Sequence, residues 1–384
     1  MALVEDNANR PESARPYDVI IVGAGAAGVG VAIAIQHAGI ENFLLVDRDC
    51  VGSSFASWPA ETRFIAPSFP SNSIGMLDLN SIAIGVSPAF SMRVEHPTGK
   101  EYATHLQSMA NYFELPVMEN TDIVSIEKNG DDFILKTDSV TLRCKNVIWA
   151  AGEYQYPSQG KFKGSDLCIH TSHIERYGDL DDDDFVIIGG YESGIDAAYH
   201  LAKNGKNVRV LDANCPWSEE SSDPSVSLST FSFERMLDDK FVSNVELFAE
   251  NRVESVTLED GTYAVKTEDG QILKTKTPPL LANGFDGSHN FVSHLFEKRP
   301  DGFPSLTEQD ESTIVPGVFL CGPSVRHDGH IFCFIFKYRQ RFAIVAQAIA
   351  ASMQLPTDEF VEAYKGWGMY LDDLSCCGQE CLTC

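Results

Sequence analysis

A glycine-rich turn between two apolar segments constrains the fold of this chain more than any other feature. The segment Asp18-Val-Ile-Ile-Val22 has the composition of a buried strand, and Gly23-Ala-Gly-Ala-Ala-Gly28 follows it directly. An Ala- and Ile-rich stretch then predicts a helix that ends at Gly39. A second apolar strand, Phe43-Leu-Leu-Val46, ends in Asp47. This order of strand, turn, helix, strand and acid predicts a Rossmann unit that binds a dinucleotide.

Each glycine of this motif has its own physical task. Gly23 permits the tight turn, Gly25 lets the backbone approach a pyrophosphate, and Gly28 lets the helix pack close to the strand. The helix start presents free N–H groups and a positive dipole end to the phosphates. The Asp47 carboxylate can accept hydrogen bonds from ribose hydroxyls.

The same order of elements recurs later in the chain. The predicted strand Phe185-Val-Ile-Ile188 precedes Gly189-Gly-Tyr-Glu-Ser-Gly194, a helix is predicted over 195–203, and the next strand ends in Asp212. Tyr191 stands where the first unit has its middle glycine, so two interpretations stay open: binding of a nicotinamide nucleotide, or a unit that only packs. The Asp212 carboxylate favours NADH, because it repels the 2′-phosphate of NADPH.

Each unit is followed by a predicted β-hairpin region and by a strand that ends at a glycine. Ala150-Ala-Gly152 ends the first such strand and Ala282-Asn-Gly284 ends the second. The segment Gly317-Val-Phe-Leu-Cys-Gly322 and a helix predicted from about Ile331 to Met353 then return the chain to the first unit. This internal repeat predicts an α/β protein with two Rossmann-like three-layer domains, the second inserted in the first.

These motifs resemble those of the two-dinucleotide-binding-domain flavoproteins: flavin-containing monooxygenases, thioredoxin-reductase-like enzymes and bacillithiol-disulfide-reductase-like proteins. The resemblance covers residues 17–350. It implies FAD in the first domain, NAD(P)H in the second and hydride transfer between them. In much of the family the last motif ends in Gly-Asp, whereas here Pro323 follows Gly322. Only the backbone of Gly322 therefore matches the family's motif. The predicted boundaries are 16–160 and 286–365 for the FAD-binding domain, 161–285 for the NAD(P)-binding domain and 366–384 for a cysteine-rich tail.

Cofactor binding is assigned to the two glycine-rich turns, their acids and the strand-end glycines. The loop after the first acid is assigned as well, and two interpretations stay open: its residues Trp58, Phe64 and Arg63 line the flavin or a substrate, or the loop is a lid over the flavin without substrate contact. The assigned residues are Gly23, Gly25, Ala26, Ala27, Gly28, Asp47, Arg48, Trp58, Gly152, Gly189, Gly190, Ser193, Gly194, Asp212, Gly284 and Gly322.

Two chemistries compete within this family. Monooxygenases have a motif that resembles Phe-x-Gly-x3-His before the second unit. Here five residues instead of three separate Phe162-Lys-Gly164 from His170. Reductases of the thioredoxin-reductase type need a Cys-x-x-Cys beside the flavin. The second domain has no such pair, and Ala27 stands where the bacillithiol group places its cysteine. His330 and Cys333, at the start of the predicted last helix, join His170 as candidates for acid–base or thiol chemistry near the flavin.

Four cysteines crowd the last nine residues, at Cys376, Cys377, Cys381 and Cys384. Three interpretations stay open: a mobile dithiol shuttle between flavin and an external substrate, a site for a soft metal ion, or a tail without a defined role. The shuttle adds Cys376 and Cys377 to the catalytic candidates. No residue is assigned to a metal site.

Charge limits the partners. The chain has 29 Lys and Arg against 55 Asp and Glu, a formal net charge of −26, which repels nucleic acid and anionic membrane surfaces.

The most apolar long stretch, 331–353, contains Lys337, Arg339 and Arg341, so no membrane span is expected. The polar N-terminus, without an apolar signal core, predicts a cytoplasmic protein. The expected partner is a small-molecule substrate, and a homodimer is left open.

The sequence therefore predicts an FAD-dependent oxidoreductase that takes hydride from NAD(P)H, foremost a small flavin-monooxygenase-like enzyme that oxygenates a small molecule. Two alternatives stay open. One is a flavin-dependent thiol/disulfide or metal reductase that uses the C-terminal cysteines, and the other is a non-catalytic redox- or metal-sensing flavoprotein.

Overall fold

The computed structural model describes residues 15–70, 76–221 and 223–374. Cys376 and Cys377 lie outside the described residues, so their assignment stays a prediction. The first domain is built on a seven-stranded sheet. Its strands are β1 (Tyr17–Val22), β2 (Phe43–Val46), β3 (Val117–Met118), β4 (Ser125–Asn129), β5 (Asp132–Lys136), β6 (Thr141–Trp149) and β15 (Val318–Leu320).

Strand β6 belongs to two parts of this sheet. Its first half pairs antiparallel with β5, which pairs in turn with β4. Its second half lies between β1 and β15, and both of these pairings are parallel. The parallel order β3-β2-β1-β6-β15 brings the carboxyl ends of β1, β2 and β6 to one edge, where ligands bind in open α/β sheets.

Helices cover this sheet. They are α1 (Ala26–His37), α2 (Ser53–Ala56), α3 (Pro88–Met92), α4 (Gly99–Tyr112), α8 (Ile335–Tyr338), α9 (Phe342–Ser352) and α10 (Asp358–Gly366). Helix α1 is buried from Ala26 to Ile35, because it packs against β1 and β2 and against α9. At Gly30 a Cβ atom would lie 2.1 Å from the Phe342 ring, so the glycine permits the close approach of α1 and α9.

The second domain repeats this architecture on a smaller scale. Its parallel strands are β7 (Ile169–His170), β8 (Asp184–Ile188), β9 (Asn207–Leu211), β10 (Val245–Phe248) and β14 (Leu280–Leu281), in the order β10-β9-β8-β14-β7. An antiparallel sheet flanks them and consists of β11 (Val253–Glu259), β12 (Thr262–Thr267) and β13 (Ile272–Thr275). The helices are α5 (Glu192–Lys203), α6 (Thr230–Met236) and α7 (Asp239–Asn244).

The chain leaves and re-enters the first domain through two adjacent segments. Pro157 and Phe285 form an antiparallel bridge, and the Ser158 amide donates to the Gly284 oxygen at 3.0 Å. Strand β15 and helices α8 to α10 then complete the first domain. The second domain is therefore inserted in the first, and the predicted fold class is confirmed.

Polar contacts join the two domains on one side of the gap between them. The Glu61 carboxylate of the first domain accepts hydrogen bonds from the Tyr177 and Gly178 amides, at 3.2 and 3.1 Å. The Thr62 hydroxyl donates to the buried Asp196 carboxylate at 2.7 Å. These contacts hold the loop after Asp47 against the second domain.

The prediction of one helix from about Ile331 to Met353 is wrong in its first part. Strands β16 (Arg326–His327) and β17 (His330–Ile331) form a short hairpin, and α8 begins only at Ile335. Aromatic and β-branched residues dominate 331–336, and these favour extended backbone. Cys333 therefore precedes the helix. No helix within the described ranges is long and apolar enough to cross a membrane.

Candidate active site

A cavity of about 500 Å³ lies between the two domains, at the carboxyl ends of β1, β2 and β6. Its wall combines both glycine-rich turns, the loop after Asp47 and the segment that precedes α8. Of the residues assigned from the sequence, those on this wall are Gly23, Gly25, Ala26, Ala27, Asp47, Trp58, Gly152, Ser193, Gly284 and Cys333. Their binding roles stay predictions, but one cavity brings them together.

The three glycines of the first turn have different surroundings. Gly23 has φ +104°, and a Cβ atom there would lie 2.6 Å from the Ala150 oxygen. A Cβ atom at Gly28 would lie 1.7 Å from the Gly23 oxygen. A Cβ atom at Gly25, in contrast, would have no heavy atom within 4 Å. Gly23 and Gly28 therefore serve the packing of the turn, whereas Gly25 faces open space.

The start of α1 fits the diphosphate of FAD. Its first turn contains no acidic residue, and no side chain caps it. Within the described residues, no group accepts a hydrogen bond from the Ala26 and Ala27 amides. These free donors lie beside open Gly25 and at the positive end of the helix dipole, which is the environment that a bound phosphate needs.

Asp47 organises the same turn. Its carboxylate accepts hydrogen bonds from the Ala24 amide at 2.6 Å and the Asp49 amide at 2.8 Å. Burial raises the pKa of this carboxyl, and these two bonds oppose the rise. Each carboxylate oxygen keeps a lone pair for a ribose hydroxyl. Arg48, by contrast, is exposed, bonds to Gln155 at 2.9 Å and does not line the cavity.

An aromatic cluster forms the wall beyond this turn. The Trp58 ring stacks on Phe64 with centroids 5.0 Å apart and lies 5.3 Å from Phe55. The rings of Tyr154 and Phe285 are 5.0 Å apart, the Tyr154 ring lies 6.5 Å from Trp58, and Phe334 stacks on Phe336 at 5.3 Å. Trp58 and Phe64 were predicted from the sequence. Tyr154, Phe285, Phe334 and Phe336 were not, because they come from segments that are distant in sequence.

Two ionisable groups also line the cavity. Cys333 Sγ lies 3.2 Å from Ser225 Oγ; burial raises the pKa of this thiol, and the Ser225 hydrogen bond opposes the rise. Burial also raises the pKa of the Glu153 carboxyl, against the charge of Arg326. No described residue forms a side-chain hydrogen bond to Glu153. Glu153 was not predicted from the sequence, although it directly follows the strand-end glycine Gly152.

The second glycine-rich turn packs as the first does. A Cβ atom at Gly189 would lie 2.5 Å from the Ala282 oxygen, and one at Gly194 would lie 1.9 Å from the Gly189 oxygen. The Asp212 carboxylate accepts a hydrogen bond of 2.6 Å from the Gly190 amide. The second unit therefore keeps the full backbone architecture of a nucleotide-binding turn.

The surroundings of this turn differ from those of the first. A Cβ atom at Gly190 would lie 2.3 Å from the Trp217 ring, and Tyr191 lines the cavity where the first unit has open Gly25. Arg209 pairs with Asp184, which directs its guanidinium away from any 2′-phosphate. The preference for NADH over NADPH stays a prediction.

The structure does not bring His170 or His330 to the cavity wall. Both ring nitrogens of buried His170 have partners, the Gly284 oxygen at 2.9 Å and the Ser172 hydroxyl at 2.8 Å. His330 lies in the β16–β17 hairpin, and its Nδ1 lies 3.1 Å from the His327 oxygen. His170 thus ties the linker between the domains instead of facing a substrate. No cluster of three or more metal-ligating side chains occurs in the described part of the chain.

The fold and cavity define a two-domain oxidoreductase of the FAD- and NAD(P)H-dependent class. Residues 20–322 match the family described as pyridine nucleotide-disulphide oxidoreductase, and the chain belongs to this family. Gly322, where the match ends, is buried and packs close to Ala27.

Relatives in this family differ in their named activities. The chain is 23% identical to bacilliredoxin reductase Bdr of Bacillus subtilis, over 79% of this chain and 88% of that protein. The fold is similar to bacillithiol disulfide reductase from Staphylococcus aureus (TM-score 0.72, 21% identity, 88% of this chain and 99% of that one). It is equally similar to an ornithine N-hydroxylase from Kutzneria sp. 744 (TM-score 0.71, 13% identity, 88% and 100%). At these identities the structures show the fold alone.

Proposed function

We propose that the chain is an NAD(P)H-oxidising flavoenzyme of the monooxygenase type, which oxygenates a small molecule held in the cavity between the domains. The observation that carries this proposal is the composition of the cavity wall. Aromatic rings line it, and Cys333 is the one cysteine of the described residues that reaches it. A dithiol relay beside the flavin needs two thiols.

The chain's own residues have defined tasks in this function. The free amides at the start of α1 and the Asp47 carboxylate would hold FAD, which supplies two-electron redox chemistry when bound. The Trp58 and Phe64 rings exclude water from the substrate side, a requirement of reactions with reactive oxygen intermediates. Glu153 holds a proton at its carboxyl oxygen, at neutral pH more readily than an exposed carboxyl does, because burial raises its pKa.

Anaerobic reduction and a product assay test this function. NADH or NADPH is expected to bleach the yellow protein without oxygen. Reoxidation under ¹⁸O₂ is then expected to place one labelled oxygen atom in a substrate from a panel of amines, sulfides and ketones. Trp58→Ala is expected to uncouple the reaction, so that hydrogen peroxide rises at least several-fold per NAD(P)H consumed. A protein that binds FAD but is bleached by neither nucleotide would contradict the proposal.

A second candidate function, thiol/disulfide reduction, is favoured by Cys333 on the cavity wall and by the names of the Bdr relatives. Two variants separate the functions. If the chain is a monooxygenase, Cys333→Ser and a chain ending at residue 374 both keep oxygenation. If it is a disulfide reductase, either variant loses NAD(P)H-dependent reduction of a small disulfide while anaerobic bleaching persists.

A further inference from the structure

The two glycine-rich turns have the same backbone at the middle position. Gly25 has φ −79° and ψ −167°, and Tyr191 has φ −80° and ψ −166°; each is the residue before the first helical turn. This extended conformation suits any residue, so tyrosine is accommodated without strain. The side chain of Tyr191 therefore starts from the place that the first unit leaves open for the approach of a diphosphate.

The Tyr191 side chain is tied to a segment in front of α5. Its hydroxyl donates to the Pro224 oxygen and contacts the Ser227 oxygen at 3.2 Å. We call residues 223–229 the strap. Ser227 and Leu228 are buried, so the strap packs onto the second domain instead of projecting from it.

Two further anchors hold the strap, one from each domain. The Glu192 carboxylate, in the first turn of α5, accepts hydrogen bonds from the Ser229 amide at 2.5 Å and its hydroxyl at 3.2 Å. From the first domain, Lys337 Nζ bonds to Asp223 at 2.5 Å and Ser225 at 2.7 Å. The strap thus bridges both domains across the start of α5.

The starts of α1 and α5 differ in charge as well as in shape. Helix α1 begins with free amides and no acid, whereas α5 begins with the Glu192 carboxylate beside the Tyr191 ring. A diphosphate that approached the start of α5 in the way expected for the start of α1 would meet an aromatic ring and a negative charge. Tyr191 and Glu192 therefore lie where the first unit predicts the diphosphate.

We propose that the strap closes the nicotinamide nucleotide site and that Tyr191 is the positioning residue that holds it closed. The nucleotide occupies the second unit only after the Tyr191 hydroxyl releases Pro224 and Ser227. This inference rests on the proposed function, since it concerns the NAD(P)H site of that enzyme. Tyr191 then controls the affinity for the nicotinamide nucleotide without affecting the binding of FAD.

Equilibrium binding of NADH to holoprotein whose FAD has first been reduced, followed by anaerobic calorimetry, tests the strap directly, because a reduced flavin takes no hydride from the bound NADH. Tyr191→Phe removes the hydroxyl and keeps the ring, and is expected to lower the Kd about tenfold, the equivalent of one net hydrogen bond of about 1.4 kcal/mol. Tyr191→Gly, which restores the open middle position, and Lys337→Met, which releases the anchor from the first domain, are expected to lower the Kd at least several-fold. Tyr199→Phe, on the same helix, is the matched control and is expected to keep the wild-type Kd.

Reduction kinetics give a second readout. The three strap variants are expected to lower the NAD(P)H concentration that gives the half-maximal rate of anaerobic bleaching, while the FAD content and bleaching by dithionite stay unchanged. If Tyr191→Phe and Lys337→Met bind NADH no more tightly than wild type, the strap proposal is overturned, whatever the bleaching shows. If they bind it more tightly but no variant is bleached by NADH or NADPH, the strap stands and the proposed oxidoreductase function fails.

Discussion

The Ala24 amide donates a hydrogen bond of 2.6 Å to the Asp47 carboxylate, across 23 residues of chain. The second unit repeats this bond at 2.6 Å between Gly190 and Asp212, 22 residues apart. The acid that follows the second strand of each unit therefore fixes the glycine-rich turn itself. Its predicted contact with ribose is additional to this structural task.

Asp47→Asn is expected to weaken FAD binding at least tenfold. An amide in place of the carboxylate loses charge-assisted hydrogen bonds worth roughly 1.5–3 kcal/mol each and can present N–H to the Ala24 amide. The measurement is quenching of FAD fluorescence on titration into apoprotein. Asp212→Asn is the matched control and is expected to keep FAD affinity within about twofold while it weakens NADH binding. Equal FAD affinity of both variants would disprove the role of Asp47.

Glu153→Gln is expected to change how stability depends on pH. Burial raises the pKa of this carboxyl, so the folded state holds the Glu153 proton more tightly than the unfolded state does. Stability from this group is present below its unfolded pKa and is lost as the pH rises through the raised value. Relative to Glu153→Gln, wild type should become less stable in urea denaturation as the pH rises above 4.5, the ordinary pKa of a glutamate. Parallel stability profiles would show that the carboxyl titrates normally.

His105 is expected to sensitise the protein to acid. It is 4% exposed, its Nδ1 lies 2.9 Å from Ser91 Oγ, and burial lowers its pKa from 6.5 to about 4. The unfolded state binds the proton first, so stability is lost as the pH falls from about 6.5 towards 4, by up to ~3 kcal/mol. His105→Gln should remove this loss in denaturation curves at pH 7 and pH 4.5. The same loss in the variant would assign it to other groups.

Arg341→Met is expected to destabilise the first domain by about 3–5 kcal/mol, because it leaves a buried carboxylate without its main partner. Asp310 is fully buried, and Arg341 donates to it at 3.0 and 2.9 Å. His327 Nε2 lies 2.5 Å from the same carboxylate but cannot replace a bidentate guanidinium. The double variant with Asp310→Asn should recover part of the loss in guanidinium denaturation. A double variant no more stable than Arg341→Met would attribute the loss to the arginine's packing.

Local sequence patterns were sufficient to predict the strands and the glycine-rich turns of both Rossmann units. Strands β1, β2, β8 and β9 follow from their apolar runs, and each first glycine was predicted because the turn that it forms depends on its immediate neighbours. The apolar run from Ile331 was misread as helix, because its aromatic residues pack in either conformation, and only the β16–β17 hairpin selects the extended one.

The sequence by itself determined two Rossmann units, since the spacing of Gly23, Gly28 and Asp47 depends on backbone geometry over fewer than about 30 residues. The expectation of FAD came from the resemblance of these motifs to a flavoprotein family. Only the tertiary structure decided the content of the cavity. It placed Glu153 and Cys333 on the cavity wall, directed the His170 ring to the Gly284 oxygen and tied Tyr191 to the strap. The physical reason is that the wall is assembled from loops at the carboxyl ends of parallel strands. These loops are distant in sequence, and their meeting depends on how the two domains pack.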